Sequence, residues 1–147
     1  MTSLEDFAAL VPADHGLVTV ATTRADGSVQ ATVVNVGVLA HPATGDSVVG
    51  LVARGGAAKL TNLRARPRAT VTIRAGWQWV TVEGPVTLIG PDDPVAGVDA
   101  QRLAALYREV FTAAGGTHDD WPDYDDTMVR QRRAVVLVTP ERIYSNP

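Results

Sequence analysis

Successive runs rich in β-branched residues, each closed by a turn signal, limit this chain to a β-dominated fold. Residues 16–24 read GLVTVATTR and residues 28–40 read SVQATVVNVGVLA, with Ala25-Asp26-Gly27 between them. Asp-Gly between two such runs is a strong hairpin signal, because both turn positions tolerate a positive φ. A second turn, HPATGD, leads into SVVGLVA, and RATVTIRAG, WQWVTVEGPVTLIG and AVVLVTPERIYSN complete the set. Valine and threonine make up about a quarter of the residues, and branching at Cβ suits a pleated strand better than a helix. In WQWVTVEG, period-2 alternation sets Trp77, Trp79, Thr81 and Glu83 on one face and Gln78, Val80 and Val82 on the other, with the valines toward the core.

Three stretches break the pattern with helical spacing. Leu4, Phe7, Ala8, Leu10 and Val11 predict a short helix capped at Thr2 or Ser3 and ended by Pro12. AAKLTNLRAR predicts two to three turns stopping at Pro67. AGVDAQRLAALYREVFTAAGG predicts the longest helix, with Val98, Leu103, Leu106, Val110 and Phe111 as its apolar stripe and Gly115-Gly116 as its stop. The acidic, aromatic segment THDDWPDYDDTMVRQRR reads as a loop with a short helix. About six strands joined mostly by hairpins, with helices at the margins, predict a mainly β, six-stranded antiparallel barrel forming a single domain over residues 1–147.

Composition removes several classes of function. A net charge of −3 lacks the basic excess expected of a nucleic-acid partner. With no cysteine, disulfides, thiolate zinc sites and cysteine nucleophiles are excluded. No apolar run approaches a membrane span and the N-terminus has no export signal, so a cytoplasmic protein without membrane contact is expected. His15, His41 and His118 show no metal-ligand spacing and no nucleophile motif is present, so neither a metal site nor a catalytic side chain is expected. The Asp119–Asp126 acids lack the glycine and terminal glutamate of a calcium loop.

One loop stands out. Of the 13 basic residues, 12 are arginine and one is lysine (13 − 12 = 1), Lys59, in RGGAAKLTNLRARPRA. Gly55 and Gly56 free the backbone to approach a ligand, and the helix start after them offers unpaired N–H groups and a positive dipole end. A lysine in the first turn is disfavoured by roughly 0.3–1 kcal/mol unless an anion reverses the sign. Arg54 and Asn62 are the expected companions of Lys59 in an anion pocket. The alternative is a plain strand-to-helix turn with a solvated lysine, left over from a codon usage that favours arginine. Trp77 and Trp79, turned from the valine face, would suit a dimer interface carrying a planar ligand.

Taken in order, ATTRADGSVQATVVNVGV, GGAAKLTNLRARPRATV, WQWVTVEGPVTL, ALYREVF, DDWPDY and MVRQRRAVVLVTPERIY resemble the pyridoxamine-phosphate-oxidase-like, FMN-binding split-barrel proteins over nearly the whole chain. More narrowly, they are similar to the actinobacterial branch that uses the deazaflavin coenzyme F420. The resemblance implies a split β-barrel homodimer with a cofactor in each inter-protomer groove, and an oxidoreductase acting on a small conjugated substrate. It places Lys59 on the cofactor phosphate and Asn35 beside the ring, with Ala53, Arg54, Gly55, Gly56, Ala57 and Ala58 along ring and ribityl chain. Trp77, Gln78 and Trp79 correspond to the segment brought by the second protomer. Some relatives carry arginine where this chain has Ala57. Coenzyme F420 is the expected cofactor and FMN the alternative. An FMN enzyme or a non-catalytic binder of a tetrapyrrole or lipid are the competing readings.

Overall fold

The computed structural model describes residues 1–146. Its strands are β1 (Leu17–Thr23), β2 (Val29–Asn35), β3 (Gly37–Ala40), β4 (Ser47–Ala53), β5 (Arg68–Ala75), β6 (Gln78–Ile89), β7 (Ala134–Val138) and β8 (Arg142–Ser145). The helices are α1 (Leu4–Leu10), α2 (Ala58–Ala65), α3 (Ala100–Ala113) and α4 (Trp121–Arg130). All pairings are antiparallel, in the order β2-β1-β5-β6-β7-β4-β3, with β8 also on β6. The fold is the mainly β antiparallel barrel with peripheral helices that the sequence pattern predicts, split as the family resemblance implies.

Eight segments replace the six expected because two of the six runs are each cut once. SVQATVVNVGVLA is interrupted at Val36, so its first half pairs with β1 and its second with β4. The two ends of the sheet order therefore lie on one stretch of chain, which ties the half-sheets together covalently. AVVLVTPERIYSN is interrupted at Thr139–Glu141, around a proline that has no N–H to give the ladder. Both of its pieces still run along one edge of β6: Val135↔Ile89 through Val138↔Val86, then Arg142↔Glu83 through Ser145↔Val80. The crossing between them is possible because residue 84 is glycine. A Cβ there would lie 1.8 Å from the Thr139 carbonyl oxygen.

The period-2 reading of β6 holds, with Val80 and Val82 buried in the main core beside Phe7, Val20, Leu51, Leu60, Val71 and Val136. Alternation also explains β1, where Val18, Val20 and Thr22 face inward and Leu17, Thr19 and Thr23 outward. The continuous apolar run of β7 is buried on both faces, since α3 and α4 pack over its outer side in a second cluster with Val135, Leu137, Leu106, Tyr107, Val110, Tyr124 and Met128. Helix α1 is capped by Ser3, whose N–H donates to the Asp6 carboxylate at 2.8 Å. Helix α3 is capped by Asp99, whose carboxylate accepts from the Arg102 N–H at 2.8 Å. Among the described residues, no helix is long and apolar enough to cross a membrane.

Gly84→Ala forces a methyl group into the Thr139 carbonyl. Its urea-denaturation midpoint should fall by the equivalent of about 2–3 kcal/mol. An unchanged midpoint would mean that the crossing at residue 84 is not as close as described.

Candidate functional site

Strand β4 ends at Ala53, paired with Ala134 at the start of β7, so the loop after β4 meets the turn before β7. Gly55 makes that meeting close. Its N–H donates to the Gln131 carbonyl at 3.0 Å, and a Cβ would lie 2.7 Å from the Arg132 carbonyl oxygen and 2.9 Å from that of Gln131. The first glycine thus admits the protein's own backbone, where a ligand had been expected. Gly56, at φ +85°, has open space on its Cβ side and remains free for close approach. The consequence is a neighbour that sequence spacing could not supply: Arg133 is brought to Arg54 and Lys59.

Lys59 sits at the second position of α2, whose N-cap, Ala57, offers no capping side chain. Among the described residues, Arg54, Lys59 and Arg133 form no ion pair, although their neighbours do: Arg64 is bidentate to Asp93 at 2.9 and 2.8 Å, and Arg132 pairs with Asp92. Burial holds the Lys59 ammonium below its usual pKa, and Arg133 lowers it further. Burial likewise lowers Arg133, with repulsion from Arg54 second. Three cations held together, two of them partly desolvated, without a carboxylate, form a site that an anion would stabilise.

The backbone at Arg133 is fixed from below. The Tyr124 hydroxyl donates to the Tyr107 carbonyl at 3.0 Å, and the Tyr107 hydroxyl donates to the Arg133 carbonyl. Burial pushes both phenols up to about 12, so they remain protonated donors at neutral pH. The Arg133 Nε donates to the Gln131 side-chain oxygen at 2.9 Å.

Arg133 also borders a groove of about 380 Å³ between sheet and helices. Its sheet wall is Val52 of β4 with Val33, Val34 and Asn35 of β2. The helix wall is Val110, Phe111 and Ala114 at the end of α3, with Tyr124 and Met128 of α4, and Arg133 completes the lining. Asn35 donates its side-chain N–H to the His15 carbonyl at 2.7 Å, which fixes its orientation. Phe111 is braced by Trp121 and Tyr124, with ring centroids 6.0 and 5.1 Å away. Arg108 locks α3 to α4, ion-paired with Asp125 and lying 5.0 Å over the Trp121 ring. The arrangement is a largely apolar groove whose lining includes one cation of the trio, Arg133, and one amide, Asn35.

Not every expected residue joins it. The Asn62 side chain is 8% exposed and turns into the sheet, donating to Thr22 Oγ1 at 3.1 Å. It holds α2 on β1 and is not a companion of Lys59. The Ala53 side chain belongs to the core, and Ala57 packs against it. Trp77, Gln78 and Trp79 do not wall this groove within one chain. Residues 78–89 form one long strand, so Trp77 lies on the order of 35 Å along it from the end beside Ala134. There Trp77 and Gln78 border a separate hollow with Met1, Thr2, Ser145 and Asn146, and Trp79 stacks edge-on with Tyr144 at 6.2 Å.

Sequence reasoning missed Arg133, Phe111 and Met128 as groove residues, while Tyr124 belongs to the His118–Tyr124 stretch expected to form the groove's far wall. The arginine run before the last strand was a visible signal for Arg133. Phe111 read as part of the apolar stripe of α3, and it does pack against the second core cluster.

The family model described as pyridoxamine 5'-phosphate oxidase matches residues 4–146. Among solved structures, a conserved hypothetical protein from Mycobacterium tuberculosis aligns with a TM-score of 0.69 at 22% identity, over 99% of this chain and 84% of that one. An F420 reductase aligns at TM-score 0.62 and 17% identity, over 92% and 94% of the two chains. A pyridoxamine 5'-phosphate oxidase-related, FMN-binding protein from Nostoc punctiforme aligns at TM-score 0.63 and 16% identity, over 97% and 79%. At these identities the likeness is one of fold.

Because folding lowers the Lys59 pKa, the charged ammonium destabilises the ligand-free protein, and this cost fades as pH rises through the lowered value toward 10.5. Lys59→Met should therefore raise the melting temperature at pH 7 by about 1–3 °C. It should also abolish the further rise that inorganic pyrophosphate gives the wild-type protein. Scanning calorimetry with and without pyrophosphate reads both effects, and a variant that keeps the pyrophosphate increment would exclude Lys59 from the anion site.

Proposed function

We propose, for a chain that belongs to the pyridoxamine 5'-phosphate oxidase family, a reductase that uses the deazaflavin coenzyme F420 to reduce a small conjugated organic acceptor. The observation that carries this reading is the trio Arg54, Lys59 and Arg133, without an ion pair among the described residues, whose Arg133 also lines a largely apolar groove. The residues fit a phosphate-bearing planar cofactor: three cations without carboxylate partners suit the phosphate, and the free side of Gly56 leaves room beside them. Val34, Val52 and Phe111 offer faces for a ring, and Asn35 offers an amide at the ring end. Such a cofactor supplies hydride chemistry, and the protein supplies position and electrostatics. Lys59 and Arg133 anchor the charged end, the valines and Phe111 exclude water, and Asn35 orients the polar edge of the ring. No side chain is needed as nucleophile, in keeping with the lack of a catalytic motif.

The similarity to an F420 reductase of matching length supports the deazaflavin. The FMN-binding neighbour supports a second reading, an FMN enzyme built on the same slot. Titrating the apoprotein with coenzyme F420 and with FMN separates them: the first is expected to bind at least about tenfold more tightly, and a preference for FMN would overturn the choice. Turnover of a panel of enones with reduced cofactor would remove the reading of a non-catalytic tetrapyrrole or lipid binder.

A homodimer belongs to the same proposal. The outer face of β2 and β1 exposes Leu17, Val29 and Val33, the last 66% exposed and on the rim of the slot, and Trp77 is 94% exposed. A second copy would cover this face and bring an aromatic segment to the open side of the groove. Light scattering at micromolar concentration should give twice the chain mass, and a monomer would remove Trp77, Gln78 and Trp79 from the site.

A further inference from the structure

Lys59 is the only lysine of the chain, and its two cationic neighbours are arginines. The difference is chemical as well as electrostatic. A guanidinium stays protonated and presents a planar fork of N–H donors that matches a phosphate, whereas a lysine amine becomes a nucleophile once it loses its proton. The trio therefore holds two groups suited to binding an anion and one suited to reacting with what is bound.

Each group is placed for its part. The Arg133 Nε donates to the Gln131 side-chain oxygen at 2.9 Å, and its two terminal nitrogens have no hydrogen-bond partner among the described residues. Arg54 is exposed, just past the end of β4. Neighbouring carboxylates are engaged elsewhere, Asp92 with Arg132 and Asp93 with Arg64, so the local field favours an anionic reagent over a neutral one. Lys59 is half-buried, which leaves it within reach of solvent yet partly stripped of water. Burial first and Arg133 second hold its ammonium below the usual lysine pKa, and this enlarges the fraction present as free amine.

We propose that Lys59 is a covalent modification site, acylated by small acyl phosphates that the trio binds through their phosphate group. The Arg54 and Arg133 guanidiniums donate to the phosphate oxygens, and the Lys59 Nζ lone pair attacks the adjoining carbonyl carbon. The N–C bond forms, the C–O bond to phosphate breaks with its electron pair leaving on inorganic phosphate, and the amine proton passes to solvent. The product is an amide, with no change of oxidation state and no further co-reactant. Acylation removes one of the three cations, so the step switches off the anion site that bound the reagent. The modification rests on the anion site alone, and only its effect on the coenzyme rests on the reductase reading above.

The chain carries two amines, Lys59 and the α-amine of Met1, and Met1 borders the separate hollow beside Trp77. The second amine is therefore an internal reference. The full-length protein is treated with acetyl phosphate or with acetic anhydride, an uncharged reagent, and acetylation of each amine is followed by peptide mass spectrometry. Acetyl phosphate should raise the ratio of Lys59 to Met1 acetylation at least about tenfold above that given by the anhydride, and inorganic pyrophosphate should abolish the excess. Equal ratios for the two reagents, or an excess that pyrophosphate leaves intact, would overturn the proposal. Arg54→Gln and Arg133→Gln should each bring the two ratios together. Protein acetylated at Lys59 should lose the rise in melting temperature that pyrophosphate gives the unmodified protein, and retention of that rise would overturn the switch. If the acetylation behaved as expected while the unmodified protein bound no coenzyme F420, the reductase reading would fall and the modification site would stand.

Discussion

Strand β6 carries the architecture. Along one edge it pairs with β5, and along the other with β8 and then β7, so both half-sheets share it. That sharing needs the chain between β7 and β8 to pass close to β6, and Gly84 permits it. The other tie is the run from β2 through Val36 to β3, whose halves belong to opposite ends of the sheet order. With those two connections made, the ends of β4 and β7 are held together, and the loop after β4 has little choice of where to lie.

The charge of the site follows from that placement. An isolated lysine in a first helical turn is a modest local cost. Packing Gly55 against the Gln131–Arg132 backbone adds Arg133, while the nearby aspartates are already paired with Arg64 and Arg132. The result is a local excess of positive charge in a protein whose net charge is negative. Such an excess, partly desolvated and supported by two buried tyrosines, costs stability in the ligand-free chain, and the anionic group of the proposed cofactor would offset that cost. The groove that Arg133 borders is lined mostly by apolar side chains, so the proposed cofactor would meet charge at its phosphate and apolar faces at its ring.

Reading the chain residue by residue recovered the strands, the four helices and the inward face of β6, because each rests on local periodicity or a cap. It also singled out Lys59 as an anomaly, since a helix start and a rare residue type are both visible in sequence. Asn62 was misplaced for an instructive reason. Three residues on from Lys59, it seemed to share a face, but the helix is rotated so that Leu60, Asn62 and Leu63 are buried, and the amide found partners on β1. The Trp77–Trp79 segment was read as groove wall by likeness to a family of dimers, and a single chain carries it to a separate hollow.

What the sequence determined by itself was everything governed by short-range rules: the β-branched runs, the Asp-Gly hairpin, the helix stops at Pro67 and Gly115-Gly116, and the anion-compatible start of α2. Only the tertiary structure decided which distant residues meet. Arg133 lies 74 residues from Lys59 (133 − 59 = 74), and Phe111 joins Asn35 and His15 through the packing of α3 on the sheet. Period and propensity specify which face of an element is buried. They do not specify which other element buries it, because that depends on strand order and on backbone crossings that two glycines, Gly55 and Gly84, make possible.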